Sequence, residues 1–285
     1  MSTITIKTRA KINLTLDVLF KREDGYHELD MIMQTIDLYD VLEFKPIPKD
    51  IIINCNHPEV PIDEKNIVYA TAWLLKKKYN INRGIEITIE KNIPISAGLG
   101  GGSTNAAGTL KTLNKLWKLN LSLKELMELG KRLGADVPFC LLEGTAVARG
   151  IGERLKALPP IPTIWLVLVK PPFSVSTAWA YKNIKINKGI VDNNNQVIIE
   201  KLEKGFLHQA IPFFRNGFEE VVITVYPEIG EIKERMITIG AIKALMSGSG
   251  PTVFGICRDE DGAKRIYNYF KEKYKDVFLV KTYNK

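Results

Sequence analysis

Near the start of the chain, Ile12, Leu14, Leu16 and Val18 alternate with Lys11, Asn13, Thr15 and Asp17. A period of two predicts a strand with one face buried. Tyr39–Phe44 and Ile51–Cys55 read as further strands, and Ile85, Ile87 and Ile89 mark another alternating one. Between them, Ile67, Ala70, Leu74 and Leu75 recur at helical spacing and predict a helix over Asn66–Tyr79. A glycine-rich turn then leads into a helical stretch from about Ser103 to Trp117. Ser122 followed by Glu125 is a capping box, opening a helix to about Leu133 that Gly134 stops.

The proline-rich stretch Leu158–Pro162 reads as a linker. Beyond it, Ile164–Val169 has the unbroken apolar character of a buried strand, and Thr177–Asn183 reads as a short helix. Ile184–Asn195 reads as a polar loop. Helices are predicted at Gln196–Lys204, Asn216–Thr224 and Pro227–Ile239. Ala244–Met246 and Val253–Ile256 form a strand pair around Ser247-Gly248-Ser249-Gly250, and a helix at Asp261–Tyr274 and a strand at Val277–Thr282 follow. The early strands succeed one another without intervening helices, which predicts an α+β fold with antiparallel pairing rather than a doubly wound parallel sheet. Two domains are expected, residues 1–158 and 163–285.

Composition narrows the function classes. With 285 residues, 45% hydrophobic and 25% charged, the chain has enough apolar material for a core and is not disordered by composition. The longest apolar run, Ile164–Val169, falls far short of the ~20 residues of a membrane-spanning helix. The N-terminus lacks a signal-peptide core, so a cytoplasmic location is expected. Cys55, Cys140 and Cys257 form no Cys-x-x-Cys pair and read as packed thiols. His27, His57 and His208 do not cluster, so no metal centre is expected among these side chains. The net charge of +8 suits nucleic acid, an anionic membrane face or an anionic small substrate. The basic residues are dispersed, however, and the densest run, Lys76–Lys78, ends a predicted helix, where cations complement the helix dipole. A small-molecule substrate is therefore expected, with no nucleic-acid or membrane partner, in a monomer or weak homodimer.

The most informative segment is Pro94-Ile95-Ser96-Ala97-Gly98-Leu99-Gly100-Gly101-Gly102-Ser103-Thr104. Four glycines in five positions weaken any regular element. They also let successive amides converge on an anion, and the following helix adds its own free amides and the positive end of its dipole. Three known phosphate motifs do not fit. No lysine occupies the turn, as a Walker A loop requires, and Ser103 stands where the dinucleotide fingerprint needs its third glycine. The protein-kinase loop fails at the same position, and no His-Arg-Asp or Asp-Phe-Gly follows.

The turn resembles the central motif of the GHMP kinases, a family of small-molecule kinases. Ala10-Lys11-Ile12-Asn13-Leu14 is similar to the family's N-terminal motif, and Met246–Phe254 to its C-terminal glycine motif. Arg22–Leu29 and Leu133–Phe139 narrow the likeness to a branch whose acceptor carries a nucleobase. The resemblance implies a ribosomal-S5-like N-terminal domain and a ferredoxin-like C-terminal domain, with the active site between them. It implies ATP as phosphoryl donor, bound by Pro94–Thr104, with Mg²⁺ on its phosphates and Ser103 or Thr104 in reach of the ion. On the residues alone Asp136 reads as a turn or capping aspartate; the resemblance makes it the base that takes the acceptor's proton. Lys11, on an alternating strand, is by resemblance the cation that pairs with it, and Asn13 addresses the acceptor near the reacting hydroxyl. Tyr26 and His27 are implied to read the base by stacking and hydrogen bonding. Tyr181 is a second stacking candidate that reads equally as a core aromatic. Gly248 and Gly250 let their turn approach the substrate or the phosphate loop, and Asn66 and Lys91 assist at the nucleotide.

Overall fold

Ala10 to Leu16 are buried without a break, so both faces of the first strand are covered and its polar side chains cannot be a solvated edge. In the computed structural model, which describes residues 2–186 and 194–285, that strand runs Ile4–Lys21 (β1). It is followed by β2 (His27–Ile47), β3 (Ile51–Cys55), α1 (Ile67–Lys78), β4 (Gly84–Glu90), α2 (Gly101–Leu116), α3 (Leu123–Lys131) and α4 (Val137–Leu142). The remainder comprises β5 (Thr145–Gly150), β6 (Arg154–Ala157), β7 (Trp165–Lys170), α5 (Thr177–Asn183), α6 (Asn194–Glu203), α7 (Leu207–Ala210), β8 (Arg215–Asn216), α8 (Glu219–Val225), α9 (Pro227–Ile239), β9 (Lys243–Met246), β10 (Val253–Cys257), α10 (Glu260–Lys271) and β11 (Asp276–Lys281). Most of the expected polar loop at Ile184–Asn195 lies outside the described residues.

The chain divides into two compact units. One gathers the chain up to Ala10, Leu38–Ile95 and Gly100–Leu142. Its strands lie in the order β3-β4-β2-β1, with β3 parallel to β4 and β4 antiparallel to the second half of β2. The alternating isoleucines Ile85, Ile87 and Ile89 turn inward with Leu42, Phe44 and Ile53. Helix α1 covers them with Val68, Ala72 and Leu75, while α2 contributes Leu110 and Leu113. Helix α2 packs hard onto β1, because a Cβ at Gly108 would lie 2.4 Å from the Thr8 methyl.

The second unit gathers Lys11–Asp37, Ser96–Leu99 and Glu143–Lys285. Here the first half of β2 pairs antiparallel with β5, β5 pairs with β6, and β1 pairs parallel with β8. A separate four-stranded antiparallel sheet has the order β11-β7-β10-β9. With α9 before β9 and α10 before β11, these elements follow the β-α-β-β-α-β pattern expected of a ferredoxin-like half. Its core is the apolar run Leu166–Val169 packed with Phe254, Ile266 and Phe270. Leu158 and Ile161 of the proline-rich stretch are buried. No helix among the described residues is long and apolar enough to cross a membrane. Of the three thiols, Cys140 and Cys257 are packed, as expected, and burial pushes the Cys257 thiol up to about 12. Cys55 differs: it is half-exposed near the surface end of β3.

Candidate functional site

In the first unit, α2 begins at Gly101, inside the glycine run rather than after it. Gly100 is the N-cap, held at φ 70° in the left-handed region that favours glycine. No side chain caps the helix. The amides of its first turn have no partner within the helix and stand at the positive end of a 16-residue dipole. Gly102 is exposed, and a Cβ there would meet only Ile67 Cγ2, at 3.7 Å. Gly101 is tighter, with Lys91 Nζ 3.0 Å from the position of a Cβ. Ser103 is half-buried, whereas Thr104 is 3% exposed, so Ser103 carries the more accessible hydroxyl. Pro94 and Ile95 lead in and are half-buried.

The segment holding Asp136 lies beside this helix start: Ser103 Oγ is 3.8 Å from where a Gly134 Cβ would be. Asp136 lies in the turn between α3 and α4, outside either helix, as the sequence reading expected. Its carbonyl accepts from Cys140 N–H at 3.0 Å, so it opens the short helix α4. Half-buried Asp136 thus stands at the head of a helix, two residues after Gly134.

In the second unit, Lys11 is 5% exposed, which rules out a solvated strand face. Its Nζ donates to Asn13 Oδ1 at 2.8 Å, and Asn13 Nδ2 reaches Met31 Sδ at 3.4 Å. A buried ammonium is costly unless compensated, and the bond to Asn13 supplies part of that compensation. The backbone of Lys11 also anchors the turn, because its N–H donates to Leu99 O at 3.0 Å. From the other side, Ser247 Oγ donates to Gly98 O at 3.0 Å. Gly98 sits at φ 74°, and a Cβ on it would lie 2.2 Å from Ser247 O; one on Gly248 would lie 3.2 Å from Gly98 O. The C-terminal glycine turn therefore packs against Ser96–Leu99. Ser96 itself is exposed at φ 50°, Ala97 and Leu99 are buried, and Gly250 is held at φ 89°.

Two residues that complete this arrangement escaped the sequence reading. Asn216, the buried last residue of β8, donates from Nδ2 to both Met246 O and Gly248 O at 2.7 Å and accepts Phe218 N–H. Nothing in its sequence neighbourhood announces it. Ser247 lay inside a recognised motif, but attention fell on its glycines.

The acceptor candidates also lie in the second unit. His27 stacks on Tyr181, with ring centroids 5.0 Å apart and planes 25° from parallel. Phe218 meets the same Tyr181 edge-on at 4.8 Å. Burial pushes the His27 imidazole below its ordinary 6.5, and the charge of Lys21 pushes the same way, so the ring is neutral near pH 7 with one donor and one acceptor nitrogen. The preceding turn is shaped by Arg22 N–H donating to Tyr26 O, Tyr26 N–H donating to Asp24 Oδ1, and Gly25 at φ 87°. Tyr26 stands out from it, 61% exposed. Asn66 caps α1, accepting Val68 N–H and donating to Pro61 O, while Lys91 is ion-paired with Asp40 at 2.8 Å. Among the described residues no group of three or more His, Cys, Asp or Glu is placed to hold a metal.

Known proteins resemble the chain over its length. The family model for the GHMP kinases N terminal domain matches residues 66–144, and that for the GHMP kinases C terminal domain matches 198–276. A 4-diphosphocytidyl-2-C-methyl-D-erythritol kinase of Clostridium botulinum (strain Eklund 17B / Type B) is 49% identical over 98% of this chain and 100% of its own. One from Listeria monocytogenes serotype 4b (strain CLIP80459) is 44% identical over 99% and 96%. A crystal structure of 4-(cytidine 5'-diphospho)-2C-methyl-D-erythritol kinase superposes with a TM-score of 0.85 at 33% identity, covering 99% of this chain and all of that one.

Proposed function

The chain belongs to the GHMP kinases, and from that membership we propose how its residues divide the chemistry. The protein is an ATP-dependent small-molecule kinase. It phosphorylates the C2 hydroxyl of 4-(cytidine 5'-diphospho)-2-C-methyl-D-erythritol, giving the 2-phosphate and ADP, in the non-mevalonate route to isoprenoid precursors.

The observation that carries the nucleotide half of the reading is the glycine-headed, side-chain-uncapped N-terminus of α2. Phosphoryl transfer asks the protein chiefly for positioning and for charge neutralisation. The amides from Pro94 to Thr104 form the polyphosphate cup, with Gly102 leaving its rim open. Asp136, at the head of α4, takes the proton of the attacking hydroxyl. Buried Lys11 offsets negative charge as the phosphoryl group transfers, and Asn13, bonded to it, orients the polyol. A group of either kind typically contributes a factor of ~10²–10⁴. His27, neutral and stacked on Tyr181, hydrogen-bonds the edge of cytosine, and exposed Tyr26 is free to close over its face.

Mg²⁺ enters with ATP. The chain offers it hydroxyl oxygen, Ser103 foremost, which suits a hard cation that keeps most of its ligands as water and phosphate. The ion neutralises charge on the phosphates when bound. We further read residues 1–158 as the ATP-binding domain and 163–285 as the C-terminal domain, in a cytoplasmic monomer or weak homodimer; the two family matches, 66–144 and 198–276, fall one within each.

The test is direct. The protein is incubated with Mg-ATP and, separately, the cytidine diphosphate acceptor, homoserine and mevalonate, with ADP release and phosphorus NMR as readouts. ADP and a new phosphomonoester are expected with the cytidine acceptor alone. Turnover of homoserine or mevalonate in its place would overturn the acceptor assignment.

A further inference from the structure

Strand β2 turns Leu38, Asp40, Leu42 and Phe44 to the same side, and all four are buried. A carboxylate with 0% exposure among three apolar side chains needs a reason, because an uncompensated buried charge is strongly unfavourable. Its compensation is local and complete. Oδ1 accepts from the backbone N–H groups of both Asn92 and Ile93 at 2.7 Å, and Oδ2 accepts from Lys91 Nζ at 2.8 Å. Lys91 Nζ donates in turn to Ile93 O, so the ion pair binds both the N–H and the carbonyl of Ile93.

That segment ends one residue before Pro94. The ammonium also occupies the space under the start of α2, 3.0 Å from where a Gly101 Cβ would be, with Ile93 Cγ2 at 3.1 Å. A second thread leads from the same strand position to the same helix. Thr8 Oγ1 lies 3.4 Å from Asp40 O and donates to Asn105 Oδ1 at 2.7 Å, one turn into α2. All of these groups belong to one unit.

We propose that Asp40 is a positioning residue for ATP: through Lys91 and the amides of Asn92 and Ile93 it fixes the entry to the phosphate-binding turn and the seat of its first helical turn. It touches neither substrate. This rests on the reading of Pro94–Thr104 as the polyphosphate cup. Misplacement of reacting groups by on the order of 1 Å costs up to about 10²-fold, so a slack entry should register in nucleotide binding before anything else.

The test is Asp40→Asn in the full-length protein, with steady-state constants for Mg-ATP and for the cytidine diphosphate acceptor measured separately. Asparagine keeps one carbonyl oxygen for the two amides but turns an NH₂ toward the ammonium. The expected result is a KM for ATP raised at least about tenfold while the acceptor's KM stays within about twofold. Asp40→Asn/Lys91→Met removes the orphaned cation. It should recover any loss of folding yet keep a raised ATP KM, because the grip on Ile93 O is gone. It also serves as the test if the single variant does not fold. Equal changes in both KM values, or none in folded protein, overturn the proposal. Gly102→Ala separates the two layers: if it leaves ATP binding intact, the cup reading itself has failed. If it weakens ATP while both Asp40 variants bind normally, the positioning role alone is lost.

Discussion

Gly102→Ala sets fold and function against each other. The position lies in the first turn of α2 and is exposed, and the added methyl would meet a single atom, Ile67 Cγ2, at ordinary contact distance, 3.7 Å. The fold thus accommodates it. Alanine in place of a helical glycine is worth roughly 0.5–1 kcal/mol, and so near the helix end the lower figure applies. For a chain of this size that is a rise in Tm on the order of 1–2 °C. The ligand sees the reverse. A methyl on the exposed rim keeps phosphate oxygens from the amides, and hydrogen bonds to charged groups are worth roughly 1.5–3 kcal/mol, or a loss of about 10- to 150-fold in affinity. Urea unfolding gives the first quantity, and calorimetric titration with Mg²⁺ and a non-hydrolysable ATP analogue gives the second. A general folding defect would depress both readouts together, so their opposite signs are the diagnostic. A variant as stable as the parent that binds the analogue equally well would refute the reasoning.

The other predictions test the chemistry and its supports. Asp136→Asn should lower kcat by ~10²–10⁴ with ATP affinity unchanged; substantial residual turnover would remove Asp136 as the base. The pH dependence follows from His27, whose imidazole is held below 6.5 chiefly by burial. As pH falls through that value the unfolded chain takes up the proton before the folded one, so this group's contribution turns against the fold. Acceptor KM should accordingly be flat above 6.5 and rise below it. Tyr181→Ala, which uncovers the ring, should move the inflection toward higher pH; an unmoved inflection would show that the stack does not set it. Asn216→Ala should cost roughly 2–3 kcal/mol in urea unfolding, because it strands two buried carbonyls and the Phe218 amide; a loss below 1 kcal/mol would mean the Ser247–Gly248 turn keeps its shape unaided.

Where local chemistry decides an element, the sequence was a sufficient guide. Both halves of the Ser122–Glu125 capping box form, and α9 starts at Pro227 and stops before Gly240, as the residue preferences of helix ends dictate. The long strands were read only in part. Lys11, Asn13 and Thr15 look like the wet face of an amphipathic strand, but tertiary packing covers them, and a period-two rule has no term for a buried polar row. The first half of β2 was missed because Leu29–Ile36 mixes apolar and polar residues without a clean period. Helix α4 was not anticipated; Pro138 stands in its first turn, where proline is tolerated. Of the site, the glycine turn, Lys11 and Asp136 were visible as motifs. Asp40 was passed over, although an acid buried on the apolar side of a strand is a conflict between two simple rules that marks a position worth explaining. Asn216 depends on carbonyls 30 and 32 residues later, and no local pattern encodes that.

The bond from Ser247 to Gly98 spans 149 positions of sequence, and this has a bearing on how the protein matures. A chain growing from the ribosome exposes Ser96–Leu99 long before Ser247 has been added. Until then the carbonyl of Gly98 lacks its side-chain clamp and the left-handed kink at that glycine has no wall to lean on. Nascent fragments ending anywhere in between carry Ser96–Leu99 without this support. The shape of Ser96–Leu99 is thus completed late in synthesis, when the residues around Ser247 reach a segment made much earlier.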